Sequence, residues 1–198
     1  MVAKDKFFIT KFWRYRDVAR TRLEVRLMSD FGEVMFYDGT KPPAEAAKTL
    51  IKGLIMPNGI NISPDKRYVY VAEVATFKLR IYKRNEIDNS LIEHEVVDTG
   101  TGIDNIEIDP QNGDLWIGCH PIGHLIWEYI ARGATGISPS QVVRIRVNDG
   151  SVVDMIEVYI NNGEQLSATT SATKFGNVMT AGALAEKAIL ECEIVSMD

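Results

Sequence analysis

Asn58, Asp104 and Asn105 are the residues of this 198-residue chain whose types and spacing could do chemistry together. Asn58 and Asp104 hold the same position in an internal repeat. The segment Ile60-Asn61-Ile62-Ser63-Pro64-Asp65-Lys66-Arg67-Tyr68-Val69-Tyr70-Val71-Ala72 is matched by Ile106-Glu107-Ile108-Asp109-Pro110-Gln111-Asn112-Gly113-Asp114-Leu115-Trp116-Ile117-Gly118 at a constant offset (106 − 60 = 46). Asn58 and Asp104 stand at that offset too, and Asn105 follows directly. Two amide oxygens and a carboxylate form an oxygen-only donor set of mixed charge. Such a set suits a hard cation such as calcium, which takes about 6–8 oxygens at about 2.3–2.6 Å. Asn and Asp also favour the turns that enter strands, for backbone reasons alone. Spacing therefore leaves a metal role and a turn role both open.

Each copy of the repeat reads as an alternating strand, a Pro-containing turn and a second strand of β-branched and aromatic residues. A third strand is expected at Leu79-Arg80-Ile81-Tyr82 in one copy and at Leu125-Ile126-Trp127 in the other. Strand, turn, strand, loop, strand at a period of about 40–50 residues is the signature of a propeller blade. The first strand of each blade lines a central channel, so the early residues of successive blades converge on one axis. Two weaker copies flank the clear ones. Asp5 to Thr10 resembles a second strand, as does Lys174 to Thr180 after a small-residue strand from Leu166 to Ala172. Thr21 to Met28 and Glu33 to Tyr37 also read as strands. Pro43 to Leu54 has helical character, through Ala44-Glu45-Ala46-Ala47-Lys48. The expectation is an all-β chain of about three blades plus edge strands, forming a single partial β-propeller domain over residues 1–198. A closed propeller needs about four blades or more, so an open sheet edge is expected.

Composition narrows the function classes. A hydrophobic share of 45% is enough to bury a sizeable core, and a net charge of -5 argues against general nucleic-acid binding. Lys4, Lys6, Lys11, Arg14, Arg16, Arg20, Arg22 and Arg26 crowd the start and read as solvated faces and a loop. No apolar run approaches the roughly 18–20 residues that span a bilayer. The chain opens straight into a strand without an apolar signal region, which reads as a truncated or mis-started sequence. Two cysteines, Cys119 and Cys192, make no disulfide framework by themselves. Tyr70, Trp116 and Trp127 read as core. His94, between Glu93 and Glu95, reads as a solvated strand residue.

The run from Asn58 to Glu73, and above all Asp104-Asn105-Ile106 through Asp109-Pro110 and Gly113-Asp114-Leu115-Trp116-Ile117-Gly118-Cys119-His120-Pro121 to Gly123, resembles the serum paraoxonase/arylesterase family. The similarity runs loosely over nearly the whole chain and corresponds to the C-terminal half, or slightly more, of a family member. The resemblance implies a six-bladed propeller with two calcium ions in its channel. One is structural; the other polarises an ester or lactone carbonyl and stabilises the oxyanion. It implies Asn58, Asp104 and Asn105 as ligands of that second calcium. His120 matches a family histidine near the channel mouth, with a substrate-contacting or a structural role. Cys119 matches a cysteine that is usually free. Cys192 resembles the terminal-strand cysteine that relatives tie to their N-terminus; its partner is missing from this chain.

Two departures accompany the resemblance. The family carries a Thr-Asn-Asp stretch, whose Asn and Asp serve the calcium sites, where this chain has Thr10-Lys11-Phe12. An ammonium offers no lone pair and a phenyl ring cannot coordinate. The family's histidine dyad and acidic ligands belong to N-terminal blades outside this sequence. The resulting expectation is a calcium-dependent hydrolase of small aryl esters or lactones, incomplete or inactive as this chain stands, and secreted or membrane-associated outside the cell. The alternative is a non-catalytic paraoxonase-like chaperone or accessory membrane-associated protein, which Lys11 and Phe12 favour.

Overall fold

Strands account for most of the described chain because alternating and β-branched runs are bounded by Gly, Asn and Asp turns. The computed structural model describes residues 1–195. It contains four antiparallel sheets, each a meander of consecutive strands. The first sheet joins β1 (Lys6–Lys11), β2 (Gly32–Asp38) and β3 (Ala47–Leu54). The second joins β4 (Pro57–Ile62), β5 (Tyr68–Glu73), β6 (Lys78–Arg84) and β7 (Leu91–Asp98). The third joins β8 (Gly102–Ile108), β9 (Leu115–His120), β10 (Ser140–Asn148) and β11 (Ser151–Asn161). The fourth joins β12 (Thr169–Phe175), β13 (Val178–Ala183) and β14 (Leu190–Glu193). The chain divides into two compact units, Met1–Asp98 with the first two sheets and Thr99–Asp198 with the last two.

In the first unit, Val34, Leu54, Val69, Val71 and Tyr82 form a core to which Phe8, Ile51 and Ile60 add their apolar faces. β5 is buried along its whole length because β4 and β6 flank it and both its faces are covered. Its last residue, Glu73, is 1% exposed and accepts from the Ile55 amide at 2.6 Å and Arg80 Nε at 2.5 Å. In the second unit, Trp116, Val142, Leu166, Ala172, Met179 and Ala181 form the corresponding core. Here β9 and β12 approach so closely that a Cβ on Gly118 would lie 2.3 Å from the Ser171 amide nitrogen. At the same repeat position in the first unit stands Ala72.

The internal repeat holds residue for residue. Pro57, Ile60, Asn61 and Ile62 of β4 pair with Glu73, Val71, Tyr70 and Val69 of β5. Ile103, Ile106, Glu107 and Ile108 of β8 pair with Cys119, Ile117, Trp116 and Leu115 of β9, so every partner has the same offset.

Four local expectations are corrected. Thr21 to Met28 is not a strand: α1 (Val18–Arg26) forms there, its N-terminus capped by the Asp17 carboxylate, which accepts from the Arg20 amide at 3.0 Å. Leu125 to Trp127 lies in a helix, α2 (Gly123–Ala131), because Ile126 and Tyr129, three apart, bury one helical face beside Ala168. The third strand of that sheet is β10. Pro43 to Leu54 holds a turn and then β3, where pairing with β2 overrides alanine's helix propensity. The flanking copies are not second strands: β1 is the first strand of its sheet, and Lys174 to Thr180 spans the turn between β12 and β13. The flanking copies are therefore complete enough to make three-stranded sheets of their own. Among the described residues no helix is long and apolar enough to cross a membrane.

Candidate functional site

A bulge in β8 sets the site. Pairing with β9 steps from Ile103↔Cys119 to Ile106↔Ile117, so Asp104 and Asn105 together oppose one residue, Gly118. The first unit repeats the irregularity: pairing of β4 with β5 steps from Pro57↔Glu73 to Ile60↔Val71, leaving Asn58 and Gly59 opposite Ala72. A bulge bends the strand and re-aims the side chain it carries, and bulges concentrate beside active sites. Asn58 and Asp104 thus share a backbone irregularity as well as a repeat position.

Asp104 is 6% exposed, and both its carboxylate oxygens are engaged. Oδ2 lies 3.1 Å from His120 Nε2, and Oδ1 accepts from Asn105 Nδ2 at 3.2 Å. Asn105 Nδ2 also donates to the Thr170 carbonyl on β12 at 2.9 Å. Both N–H groups of that amide are then committed within the fold, and its Oδ1 is the atom left to accept. His120, 4% exposed, ends β9 opposite Gly102. A carboxylate beside Nε2 favours the tautomer whose Nε2–H donates to Asp104. Nδ1 has no partner among the described residues. In that tautomer it carries a lone pair, the arrangement of an oriented general base. Three residues further on, α2 begins without a side-chain N-cap, so its first backbone N–H groups remain available to an acceptor. Cys119 points the other way. It is wholly buried, its Sγ donates to the Ile117 carbonyl at 3.4 Å, and burial, aided by the nearby Asp104 charge, pushes its thiol well up. This is an inert packed thiol. Cys192 is half-buried, and both cysteines are free thiols.

In the first unit, Asn58 is half-buried and its backbone carbonyl accepts from Thr10 Oγ1 at 2.6 Å, tying β1 to β4. Lys11 Nζ pairs with Glu33 Oε1 at 3.4 Å across β1 and β2. Phe12 leaves the strand and meets Trp13 edge to face, ring centroids 4.5 Å apart. Lys11 and Phe12 are spent on local packing and supply no metal ligand.

The oxygens of Asp104 and Asn105 fit a hard cation in kind but not in number. Each Asp104 oxygen already has a partner, and calcium wants about 6–8 oxygens. Among the described residues no group of three or more His, Cys, Asp or Glu side chains could hold a metal. Sequence reasoning named Asp104, Asn105 and His120 but missed that Asp104 and His120 pair. The signal was present: with the repeat register, Gly102 faces His120 two residues before Asp104. Counting across the strands without the bulge hides it.

Meander sheets whose first strands bulge at Asn and Asp, with a buried carboxylate holding an imidazole, define a class of all-β protein with a propeller-like fold. Solved structures of that fold include a luciferin-regenerating enzyme, with a TM-score of 0.57 at 12% identity over 90% of this chain and 50% of that one. They also include regucalcin of Agrobacterium tumefaciens, described as a calcium-binding protein, with a TM-score of 0.54 at 16% identity over 89% of this chain and 49% of that one. At such identities the likeness concerns the fold alone. The family described as Arylesterase matches residues 1–194, and the chain belongs to it. Serum paraoxonase/arylesterase 2 of Rattus norvegicus is 33% identical over 193 residues, covering 98% of this chain and 52% of that protein. Serum paraoxonase/arylesterase 1 of Homo sapiens is 32% identical over the same length and shares. The chain spans about half the length of these curated relatives.

Proposed function

We propose that this chain contributes to a hydrolase of small esters or lactones, built on part of a six-bladed propeller and working with calcium. Asp104 and Asn105 of the second unit would hold the cation, and Asn58 stands at the equivalent bulge of the first unit. Bound there, calcium supplies a Lewis acid toward the substrate carbonyl. Asp104 orients His120, whose Nδ1 lone pair is placed to take a proton from water. The uncapped α2 N-terminus offers backbone N–H groups to an oxygen gaining negative charge. One observation carries the reading: a buried imidazole fixed by a carboxylate on one nitrogen and unpartnered on the other. That arrangement costs stability without a ligand to complete it. The relatives named for serum support secretion.

The test is a thermal-denaturation titration with calcium. The midpoint should rise saturably, and the rise should be lost in Asn105→Ala. Asn105 is exposed, so its loss leaves the core intact. A calcium response unchanged in Asn105→Ala sinks the assignment of ligands.

Lys11 favours a second reading. Its ion pair with Glu33 places a cation on the strand where relatives carry ligands. A non-catalytic paraoxonase-like accessory or chaperone protein accounts for that substitution without asking for turnover. Absence of any calcium response, with the fold intact, would support it.

A further inference from the structure

Charge divides unevenly between the two units. Met1–Asp98 holds 17 lysines and arginines against 14 aspartates and glutamates, a net charge of +3. Thr99–Asp198 holds 5 against 13, a net charge of -8, and the two together make the chain's -5. Each unit also presents a surface on which charge of one sign sits beside uncovered apolar side chains.

The basic surface is α1 with the loop before it. Buried Glu24 accepts from the Arg14 amide at 3.0 Å and the Tyr15 amide at 3.1 Å, which fastens loop to helix. Arg14 and Arg20 lie over aromatic rings, Phe31 at 5.2 Å and Tyr15 at 5.1 Å. Arg22 and Arg26 are exposed and have no side-chain partner among the described residues. Four residues apart, they share the outward face with Leu23 and Leu27, which are 55% and 67% exposed. The acidic surface lies at two sheet edges of the second unit. Among the described residues nothing pairs with the outer edge of β14, and β11 is likewise the last strand of its sheet. Between them runs a groove of about 210 Å³, walled by Ile156, Val158, Met179 and Ile194 with Glu157 and Glu193 beside them. Glu157 accepts from Gln141 Nε2 at 2.6 Å. Glu191 and Glu193 alternate to the exposed face of β14, and neither carboxylate has a partner among the described residues.

We propose that the chain associates with a second copy of itself, the arginine and leucine face of α1 in one copy seated on the carboxylate-rimmed groove of β11 and β14 in the other. The spacings agree. Arg22 and Arg26 stand about 6 Å apart along the helix axis, at about 1.5 Å per residue. Glu191 and Glu193 stand about 7 Å apart, at about 3.4 Å per residue. Leu23 and Leu27 then cover the apolar walls of the groove, and surface that each copy alone exposes leaves water. A phosphate-bearing partner, membrane or nucleic acid, would attract α1 but repel the -8 of the second unit. A second copy neutralises both surfaces. The contact uses none of the residues of the proposed hydrolase site.

The test is sedimentation equilibrium of the whole chain, with a reductant that keeps Cys119 and Cys192 as thiols. Sodium chloride is set at about 20 mM and about 500 mM, on either side of the ionic strength at which charges are screened over about 8 Å. At low salt the average mass should rise with concentration over about 10–100 µM, the strength of a weak, transient interface. High salt should weaken the association at least about tenfold. Two reversed chains then locate the contact: Arg22→Glu with Arg26→Glu, and Glu191→Lys with Glu193→Lys, all at exposed positions. Each alone should stay monomeric, because its own helix face and groove now repel. An equimolar mixture of the two should associate again, since the reversed helix face of one suits the reversed groove of the other. Recovery in the mixture also shows that both chains are folded. A wild-type chain that stays monomeric at low salt overturns the proposal. So does association that survives either reversal, or that grows with salt as apolar pairing of open sheet edges would. Monomeric variants whose mixture stays monomeric overturn the assigned pairing. Wild-type chain that binds phosphatidylserine vesicles and not itself overturns the proposal in favour of a membrane.

Discussion

Single charged side chains do two kinds of work in this protein. Some end strands and hold the fold. Glu73 closes β5 and satisfies a backbone amide and the Arg80 guanidinium in a buried place. Glu73→Ala should cost about 2–3 kcal/mol, read as a lower urea midpoint, because both donors lose a charged acceptor. Glu73→Gln should cost less, since an amide oxygen can still accept. Asp38 behaves differently. Hydrogen bonds from the Thr40 hydroxyl and then Lys6 hold its carboxyl down at about 2. A carboxylate lowered in the folded state stabilises the fold above the ordinary carboxylate range, near pH 4. That contribution is lost as pH falls through about 2. The stability gap between wild type and Asp38→Asn should therefore be constant near neutrality and close between about pH 4 and pH 2. A gap that stays constant down to pH 2 would show that the hydrogen bonds do not depend on charge.

At the scale of elements, the first strand of each repeat is where sheet pairing gives way to chemistry. β4 and β8 each bulge at the same register, and the bulge of β8 is fastened to β12 through Asn105. That fastening depends on how near β12 can come. Gly118 permits the approach, because any Cβ there meets backbone of Thr170 and Ser171, which cannot rotate aside. Gly118→Ala should destabilise the second unit by about 3 kcal/mol, at or beyond the usual cost of overpacking. It should also shift the Asn105 side-chain amide signals, since their acceptor on Thr170 moves. Wild-type stability in Gly118→Ala would mean that the fourth sheet can slide without cost.

For the whole chain, the prediction concerns turnover. Expressed as these 198 residues, the protein should show no chelator-sensitive hydrolysis of phenyl acetate above background. It offers three candidate ligand side chains where calcium takes about 6–8 oxygens, so water must fill the sphere and binding should be weak. Clear calcium-dependent turnover, abolished by Asp104→Ala, would show that the residues on hand are sufficient and that the ligand count has been misjudged.

The sequence by itself determined the repeat, the strand type of β4, β5, β8 and β9, and the identities of Asn58, Asp104, Asn105 and His120. It could do so because alternation and turn residues are local, and because two copies at one offset reinforce each other. It also carried the family, since the stretch from Gly118 to Gly123 is compact and specific. Helix α1, helix α2 and strand β3 went the other way. Short runs such as Thr21 to Met28, Leu125 to Trp127 and Ala44 to Lys48 suit either structure, and partners distant in sequence chose between them: β2 for β3, and the groups around Ala168 for α2. Only the tertiary structure showed that Asp104 grips His120, that Lys11 is answered by Glu33, and that β11 and β14 frame an apolar groove. Each of these depends on which strands lie side by side and on the extra residue in a bulge. Those are properties of pairing between segments, and no single segment carries them.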